Sequence, residues 1–237
     1  MHHSPPPLTP VAATLLLALL LAAGCGEPVR PDASGRVVRP APNESRRHDL
    51  PAATARSGVA VTSTVTIAVR DFSFTPQAAT IAQGTTVRWK FSGPSSHTAT
   101  DNSGMRLFNS GIKPAGSQYS FTLIAAGTYP YVCTPHASFM RGRISVLLKA
   151  SPASGTRTTR FTITWASAAP PTGFVFDVQI KRPGSNTYVN WKTGQTARSA
   201  TFVPDRGVGT YSFRARLRKP AVGKASGYSP NAAIAVH

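Results

Sequence analysis

The chain has 237 residues, 41% of them hydrophobic, and is therefore long enough for two ordinary globular domains. Its 26 Lys and Arg outnumber 8 Asp and Glu and give a formal net charge of +18 at pH 7, which favours anionic partners. Because the N-terminal segment predicts export, nucleic acid is disfavoured as that partner. An acidic protein, acidic lipid headgroups or an anionic envelope polymer is expected instead.

The N-terminal segment resembles an export signal. An apolar run from Leu8 to Ala23 ends in small residues directly before Cys25. The run is short for a membrane span, so residues 1–24 are interpreted as a signal peptide, and Cys25 resembles the acylated cysteine of bacterial lipoproteins. Ordinary secretion and a retained anchor helix are the alternatives. We expect a lipid-anchored protein on the outer face of the cytoplasmic membrane or in the periplasm.

Residues 25–60 are rich in Pro, Ala, Ser and Arg and show no hydrophobic periodicity. Such a segment cannot bury enough apolar surface to fold by itself, so we expect a disordered tether. Its arginines could also lie against anionic headgroups.

Residues 61–149 alternate between apolar and polar side chains with a period of two, which is typical of half-buried strands. Turn residues separate the runs, and no segment has the pattern of an amphipathic helix. The pattern predicts an antiparallel β-sandwich. Its expected inward-facing sets are Val65, Ile67 and Val69; Val87, Trp89 and Phe91; Tyr119, Phe121 and Leu123; Tyr129, Tyr131 and Cys133; and Ile144, Val146 and Leu148.

Residues 150–237 predict a second sandwich, so the whole chain is expected to be all-β. A Ser/Pro/Gly-rich junction at 150–155 precedes a new series of alternating strands. Their expected inward-facing sets are Phe161, Ile163 and Trp165; Phe174, Phe176, Val178 and Ile180; and Tyr211, Phe213, Ala215 and Leu217.

Three of the four candidate metal ligands lie in one short stretch of the first sandwich. The chain has two cysteines, and if Cys25 is acylated then Cys133 has no disulfide partner. In an exported protein, an unpaired cysteine most often serves metal ligation. Cys133 ends an inward-facing strand, and His136 and Met140 follow it on the same loop. A fourth candidate ligand, His97, follows the Trp89 strand and is expected at the same end of the sandwich.

The composition of this set points to copper. A thiolate and neutral imidazoles serve both Cu(I) and Cu(II), and a thioether supplies a weak further contact. Structural zinc sites favour several cysteines, and catalytic zinc sites commonly use a carboxylate or three imidazoles. No paired carboxylates, phosphate-binding glycine loop or nucleophile with a neighbouring base is found, so hydrolytic or transferase chemistry has no support.

The first sandwich resembles the plastocyanin-like cupredoxins. The resemblance covers about residues 61–149 and is carried by five motifs in the same order: Asp71-Phe-Ser-Phe-Thr-Pro76, Gly84-Thr-Thr-Val-Arg-Trp89, His97-Thr98, Phe108-Asn-Ser-Gly111 and Gly127-Thr-Tyr-Pro-Tyr-Val-Cys133. It implies an eight-stranded Greek-key sandwich that shuttles single electrons, with one type 1 copper site. His97, Cys133 and His136 would be its equatorial ligands, and Met140 its axial ligand.

The same resemblance implies how electrons enter and leave. His136 would be the electron port within an apolar surface patch, and Arg141 and Arg143 would give its rim a positive charge. We therefore expect a redox partner with an acidic docking face. Family members often carry an Asn beside the first ligand His that ties the two ligand loops together. This chain has Ser92 and Ser96 in that region, so the sequence leaves open what connects the loops.

The second sandwich resembles an immunoglobulin-like module of the fibronectin type III kind. Trp165 lies on an early strand, and Tyr211 suits the tyrosine-corner position. An outward cationic set is expected at Arg214, Arg216, Arg218 and Lys219. This set is either a solvated strand face or a surface for an anionic cell-wall polymer.

Together these features predict an exported type 1 copper protein that carries electrons at the cell envelope and is not an enzyme. A copper-trafficking or copper-storage lipoprotein with the same ligands is one alternative. A surface-binding protein with a degenerate copper site is another. A fragment of an oxidase or reductase would need further metal ligands that the sequence does not offer.

Overall fold

The structure, a computed structural model, describes residues 63–237, and these residues belong to one compact unit. The predicted signal peptide, the predicted tether and Cys25 lie outside the described residues. Within residues 63–237 the regular structure is β-strand apart from two short 3-10 segments, and no helix there is long and apolar enough to cross a membrane.

The first sandwich contains eight strands in two four-stranded sheets. One sheet has the order β2-β1-β4-β6 and the other β3-β8-β7-β5, with β1 parallel to β4 and β3 parallel to β8. This confirms the predicted all-β class and the cupredoxin-like fold. The expectation of an antiparallel sandwich is wrong for these two strand pairs, which are parallel. The strands are β1 (Thr64–Arg70), β2 (Ser73–Thr75), β3 (Ala78–Ile81), β4 (Thr85–Phe91), β5 (Thr100–Asp101), β6 (Gln118–Leu123), β7 (Gly127–Val132) and β8 (Arg141–Val146).

The core of this sandwich follows the alternation of the sequence. Ile67, Trp89 and Tyr131 are fully buried, whereas the polar residues between them face outward. Tyr119 and Phe121 of β6 are less buried than expected. Both are partly buried and pack against the core. Burial of the alternating apolar side chains is the main force that fixes the strand register, since a slip by one residue would expose the whole set.

The second sandwich packs a three-stranded sheet with the order β14-β11-β9 and a six-stranded sheet with the order β10-β17-β15-β12-β13, in which β16 also pairs with β15. The strands are β9 (Lys149–Ser151), β10 (Ser154–Gly155), β11 (Phe161–Thr164), β12 (Val175–Lys181), β13 (Val189–Gln195), β14 (Ser199–Phe202), β15 (Gly209–Lys219), β16 (Lys224–Ala225) and β17 (Ala232–Val236).

Two sequence expectations for the second sandwich have clear structural outcomes. The Tyr211 hydroxyl donates to the Gly207 carbonyl at 2.9 Å and accepts from the backbone of Arg206 at 2.8 Å, which is the contact of a tyrosine corner. The expectation that Lys219 joins the outward row of arginines is wrong. Successive strand residues point to opposite sides, and the Lys219 ammonium instead donates to the Met105 carbonyl at 3.3 Å in the first sandwich.

The two sandwiches are connected closely. Only Leu147 and Leu148 separate β8 from β9, and Leu148 is buried. The Gln83 side-chain amide donates to the carbonyls of Leu147 and Thr164, both at 2.9 Å, and so joins a turn of one sandwich to a strand of the other. Backbone hydrogen bonds between Thr128 and Gly227 add a second junction. The buried apolar residues of both sandwiches accordingly form one cluster.

Candidate metal centre

The ligand loop after β7 is closed by its own backbone. The Cys133 N–H donates to the Met140 carbonyl at 3.0 Å, and the Met140 N–H donates to the His136 carbonyl at 2.8 Å. Between them, residues Thr134–His136 form a single 3-10 turn with Pro135 in its first positions. Proline fits there because its fixed backbone angle suits the start of a turn and its missing N–H has no partner to lose. The loop is therefore short, and these contacts fix its conformation.

His97 comes from a different part of the chain. It lies between β4 and β5, where its backbone exchanges two hydrogen bonds with Lys113, at 3.1 and 2.9 Å. Its side chain is almost completely buried. The two loops thus meet at one end of the first sandwich, as the sequence predicted.

The three side chains converge with a geometry that suits a metal ion. The Cys133 sulfur lies 3.5 Å from Nδ1 of His97 and 3.5 Å from Nδ1 of His136, and the three ligand atoms all lie within 4.8 Å of one another. A trigonal site with bonds of about 2.0 Å to nitrogen and about 2.3 Å to sulfur requires a nitrogen–sulfur separation of about 3.7 Å. The observed spacing is therefore close to that of a formed site.

The donor set fits copper. One thiolate with two imidazoles is the trigonal ligand set of blue-copper centres, which add a weak and distant axial ligand. Met140 is 1% exposed and is hydrogen-bonded through its backbone to Cys133 and His136, so it is part of the same loop structure. Its role as the axial ligand remains a prediction.

Asp71 is a functional residue to which the sequence reasoning gave no role. Its Oδ1 lies 3.1 Å from Nε2 of His97 and also accepts from the Ser95 backbone N–H at 3.1 Å. The hydrogen bond with His97 is the main cause that lowers the pKa of the Asp71 carboxyl below its ordinary value, against the opposing effect of partial burial. Because Nε2 is held in this way, Nδ1 of His97 is directed toward Cys133.

Thr98 connects the two ligand loops. Its backbone N–H donates to the Cys133 sulfur at 3.3 Å, and its hydroxyl accepts from the Thr134 backbone N–H at 2.7 Å. The hydroxyl also donates to the Thr134 hydroxyl at 3.1 Å. In this chain Thr98, the residue directly after His97, therefore connects the two ligand loops. The family's Asn is absent at Ser92 and Ser96.

Phe72 forms an aromatic cover beside the two imidazoles. Its ring lies edge-on to His136, with centroids 4.9 Å apart, and to His97 at 6.1 Å. The residue is 53% exposed and has a φ of 59°, a left-handed conformation that a bulky side chain rarely adopts. Phe139, which is also exposed, lies 5.9 Å from it and 5.8 Å from His136. His136, itself half-buried, thus lies within an exposed aromatic patch.

The Asp71 contact predicts a defined loss of metal affinity. Replacing Asp71 with Ala removes the acceptor that orients His97, so copper affinity is expected to fall about 10- to 100-fold, as for other partners of metal-binding histidines. Asp71→Asn keeps an oxygen acceptor and is expected to recover part of the loss. Competition titration with a Cu(I) chelator measures both. Equal affinity in the Ala variant and the unaltered protein would contradict the role.

The family match of this region agrees with the geometry of the site. Residues 61–147 match the family of copper binding proteins of the plastocyanin/azurin type. No match was found among curated proteins. Among solved structures, an oxidised variant of amicyanin is 26% identical, covering 35% of this chain and 81% of that one, with a TM-score of 0.33. A purple cupredoxin from Nitrosopumilus maritimus is 22% identical and covers 35% of this chain and 99% of its own, also with a TM-score of 0.33. Residues 61–147 form a copper-binding domain of the plastocyanin/azurin family.

Proposed function

We propose that this chain is an exported type 1 copper protein that transfers single electrons between redox partners at the cell envelope. The observation that carries the proposal is the convergence of His97, Cys133 and His136 within 4.8 Å in a domain of a copper-binding family. Copper bound there would supply the one-electron couple. The surrounding residues would hold the ligands in place while its charge changes.

The fixed loops favour electron transfer over copper delivery. Hydrogen bonds at Thr98, Met140 and Asp71 restrain all three ligands, so a change in copper valence need not be followed by a large rearrangement. The Cys133 sulfur is completely buried, which makes it a poor point of attack for an acceptor protein that would remove the metal. His136 is half-buried, and we assign it as the electron port.

The proposal predicts an intense visible absorption band that depends on Cys133. Titration of the protein with Cu(II) is expected to give a blue or purple colour and an electron paramagnetic resonance spectrum with a narrow hyperfine splitting, because the copper–thiolate bond is highly covalent. Cys133→Ser is expected to abolish both. Met140→Leu is expected to keep the colour but shift the reduction potential, since only the axial ligand changes.

The controls separate the candidate functions. Reversible one-electron cycling in voltammetry supports electron transfer, whereas rapid loss of Cu(I) to an acceptor protein would favour trafficking or storage. Cys133→Ser with an unchanged spectrum would overturn the ligand assignment. A fully metallated protein without colour would overturn the type 1 site itself.

We further propose that the partner docks at the aromatic patch through an acidic face. Phe72 and Phe139 offer exposed apolar surface next to His136, and Arg141 and Arg143 are exposed at the start of the neighbouring strand. Such a surface combines a dry contact for electron transfer with positive charge for steering.

Electrostatic steering predicts a salt-dependent reaction. The rate of electron exchange with an acidic redox protein is expected to fall as ionic strength rises, because salt screens the long-range attraction. Replacing both Arg141 and Arg143 with Gln is expected to reduce the rate and its salt dependence. The same change at the exposed pair Arg157 and Arg160 in the second sandwich serves as the control. Stopped-flow spectroscopy measures the rate, and a salt-independent rate would contradict the docking proposal.

We also propose that the chain is anchored through a lipid on Cys25, with residues 1–24 removed, or else is released by ordinary secretion. The apolar run that ends in small residues before this cysteine supports the proposal. Residues 150–237 would then form a fibronectin type III-like domain, which the tyrosine corner at Tyr211 supports.

Anchoring is tested by the position of the protein after cell fractionation. With Cys25 intact, the protein is expected in the membrane fraction and to carry acyl chains detectable by mass spectrometry. Cys25→Ala is expected to prevent acylation and move the protein out of that fraction. An unacylated protein that is equally membrane-bound in both forms would contradict the lipoprotein assignment.

A further inference from the structure

The six-stranded sheet of the second sandwich presents a row of arginines on its outer face. Arg214, Arg216 and Arg218 alternate with buried residues along β15, and we call these three the arginine ladder. Same-face residues of a strand are about 7 Å apart, so the three side chains leave β15 in a row on one face of the sheet.

Each member of the ladder is held by a partner on β12. Arg214 donates through Nε and Nη2 to the Gln179 side-chain oxygen, at 2.9 and 2.8 Å. Arg216 and Arg218 both pair with Asp177, at distances of 2.8 to 3.2 Å. Burial would raise the pKa of Asp177, but its hydrogen bonds to the two arginines and to a backbone N–H bring it below its ordinary value. Asp177 is therefore a carboxylate at neutral pH.

Two tyrosines further restrict the ladder. The Arg214 guanidinium lies 4.0 Å from the ring centroid of Tyr188 and 4.5 Å from that of Tyr228, while Arg216 lies 4.9 Å from Tyr228. Lys181 approaches the Tyr188 ring at 5.6 Å. Stacking of this kind orders guanidinium groups without neutralising them.

The arrangement leaves one edge of each guanidinium available. The contacts above use Nε and Nη2, and no hydrogen bond among residues 63–237 engages Nη1 of the three arginines. The side chain of Arg216 is 32% exposed and that of Arg218 is 30% exposed. With Lys181 beside Tyr188, four cationic groups lie in this region, and among residues 63–237 the ladder pairs with one carboxylate, Asp177. The surface is therefore ordered and accessible, and it carries an excess of positive charge.

We propose that the arginine ladder binds a linear acidic polysaccharide, whose carboxylates pair with successive guanidinium groups. Arginine's planar fork suits bidentate pairing with a carboxylate, and its ordering lowers the entropy lost on binding. Gln179, Asn190, Tyr188 and Tyr228 add amide and phenol groups to the same region, which suit the hydroxyls of a sugar.

The same contacts disfavour a nucleic acid. Binding of single-stranded nucleic acid relies on aromatic rings that are open for base stacking. Here the rings of Tyr188 and Tyr228 are already covered by Arg214, Arg216 and Lys181. An inorganic phosphate polymer is less suited because it carries no hydroxyls for the neutral polar groups. The proposal concerns the second sandwich alone and does not depend on electron transfer.

The test compares two double variants with the same change in charge. Lys181→Gln with Arg214→Gln removes one charge of the ladder and one charge beside it, without leaving Asp177 unpaired. Arg88→Gln with Lys90→Gln removes two exposed charges on the outer face of β4 and is the matched control. Binding to polygalacturonate, a linear polyuronate, is measured by calorimetry on the copper-loaded protein at fixed salt. The ladder variant is expected to bind about tenfold more weakly and the control less than about twofold.

Several outcomes would overturn the proposal. Equal losses in the two variants would show attraction by net charge alone, and no loss in the ladder variant would show that the arginines do not bind. If single-stranded DNA or polyphosphate binds the unaltered protein as tightly as polygalacturonate, the surface is not specific for a polysaccharide. Visible absorption of each sample reports the copper site separately, so failure of the electron-transfer proposal is recognised independently.

Discussion

The hydroxyl of Thr98 makes the contact on which the metal centre depends. It accepts the Thr134 N–H at 2.7 Å and so fixes the loop that carries Cys133 and His136 against the segment that carries His97. The ligand atoms come from loops far apart in sequence, and a metal can bridge them only after the loops have met. Protein contacts must therefore hold the loops together beforehand. A hydrogen bond of this kind contributes about 1 kcal/mol net.

Other contacts around the site also hold the metal ligands in place. Asp71 orients His97, the Met140 backbone closes the loop around Cys133, and Phe72 covers the edge of both imidazoles. The left-handed backbone of Phe72 costs energy that the rest of the fold must supply, and such residues are often found at functional sites. Under the proposed function, a ligand set held in this way would change little in geometry between oxidation states, which would keep the reorganisation energy of electron transfer low.

Much of this site could be predicted from sequence because it follows from local pattern. Period-two alternation placed Trp89, Tyr131 and Ile144 in the core, and the spacing of Cys133, His136 and Met140 identified the loop. The contact of Asp71 with His97 could not be predicted in this way. It depends on the parallel pairing of β1 with β4, which aligns Val69 with Phe91 and brings the two strand ends side by side. No periodicity within either strand reports that alignment.

In the second sandwich, too, some features could be predicted from the sequence and others could not. Its buried strands and the position of Tyr211 follow from the sequence, whereas the ordering of the arginines depends on which β12 residues lie opposite them. Asp177 is aligned with Arg216 and Gln179 with Arg214, a register that only the folded sheet defines. The expectation for Lys219 is wrong for a simpler reason, because Lys219 neighbours Arg218 in sequence and cannot share its side of the strand.

The connection between the sandwiches has a mechanical consequence. Only Leu147 and Leu148 link β8 to β9, and the Gln83 amide binds the Leu147 carbonyl within that link and the Thr164 carbonyl in β11. Independent rotation of the two halves would break these bonds and expose buried leucine, so the halves must tumble in solution as one body. Immobilising the C-terminal half on any support would therefore set the direction in which the copper end of the molecule points.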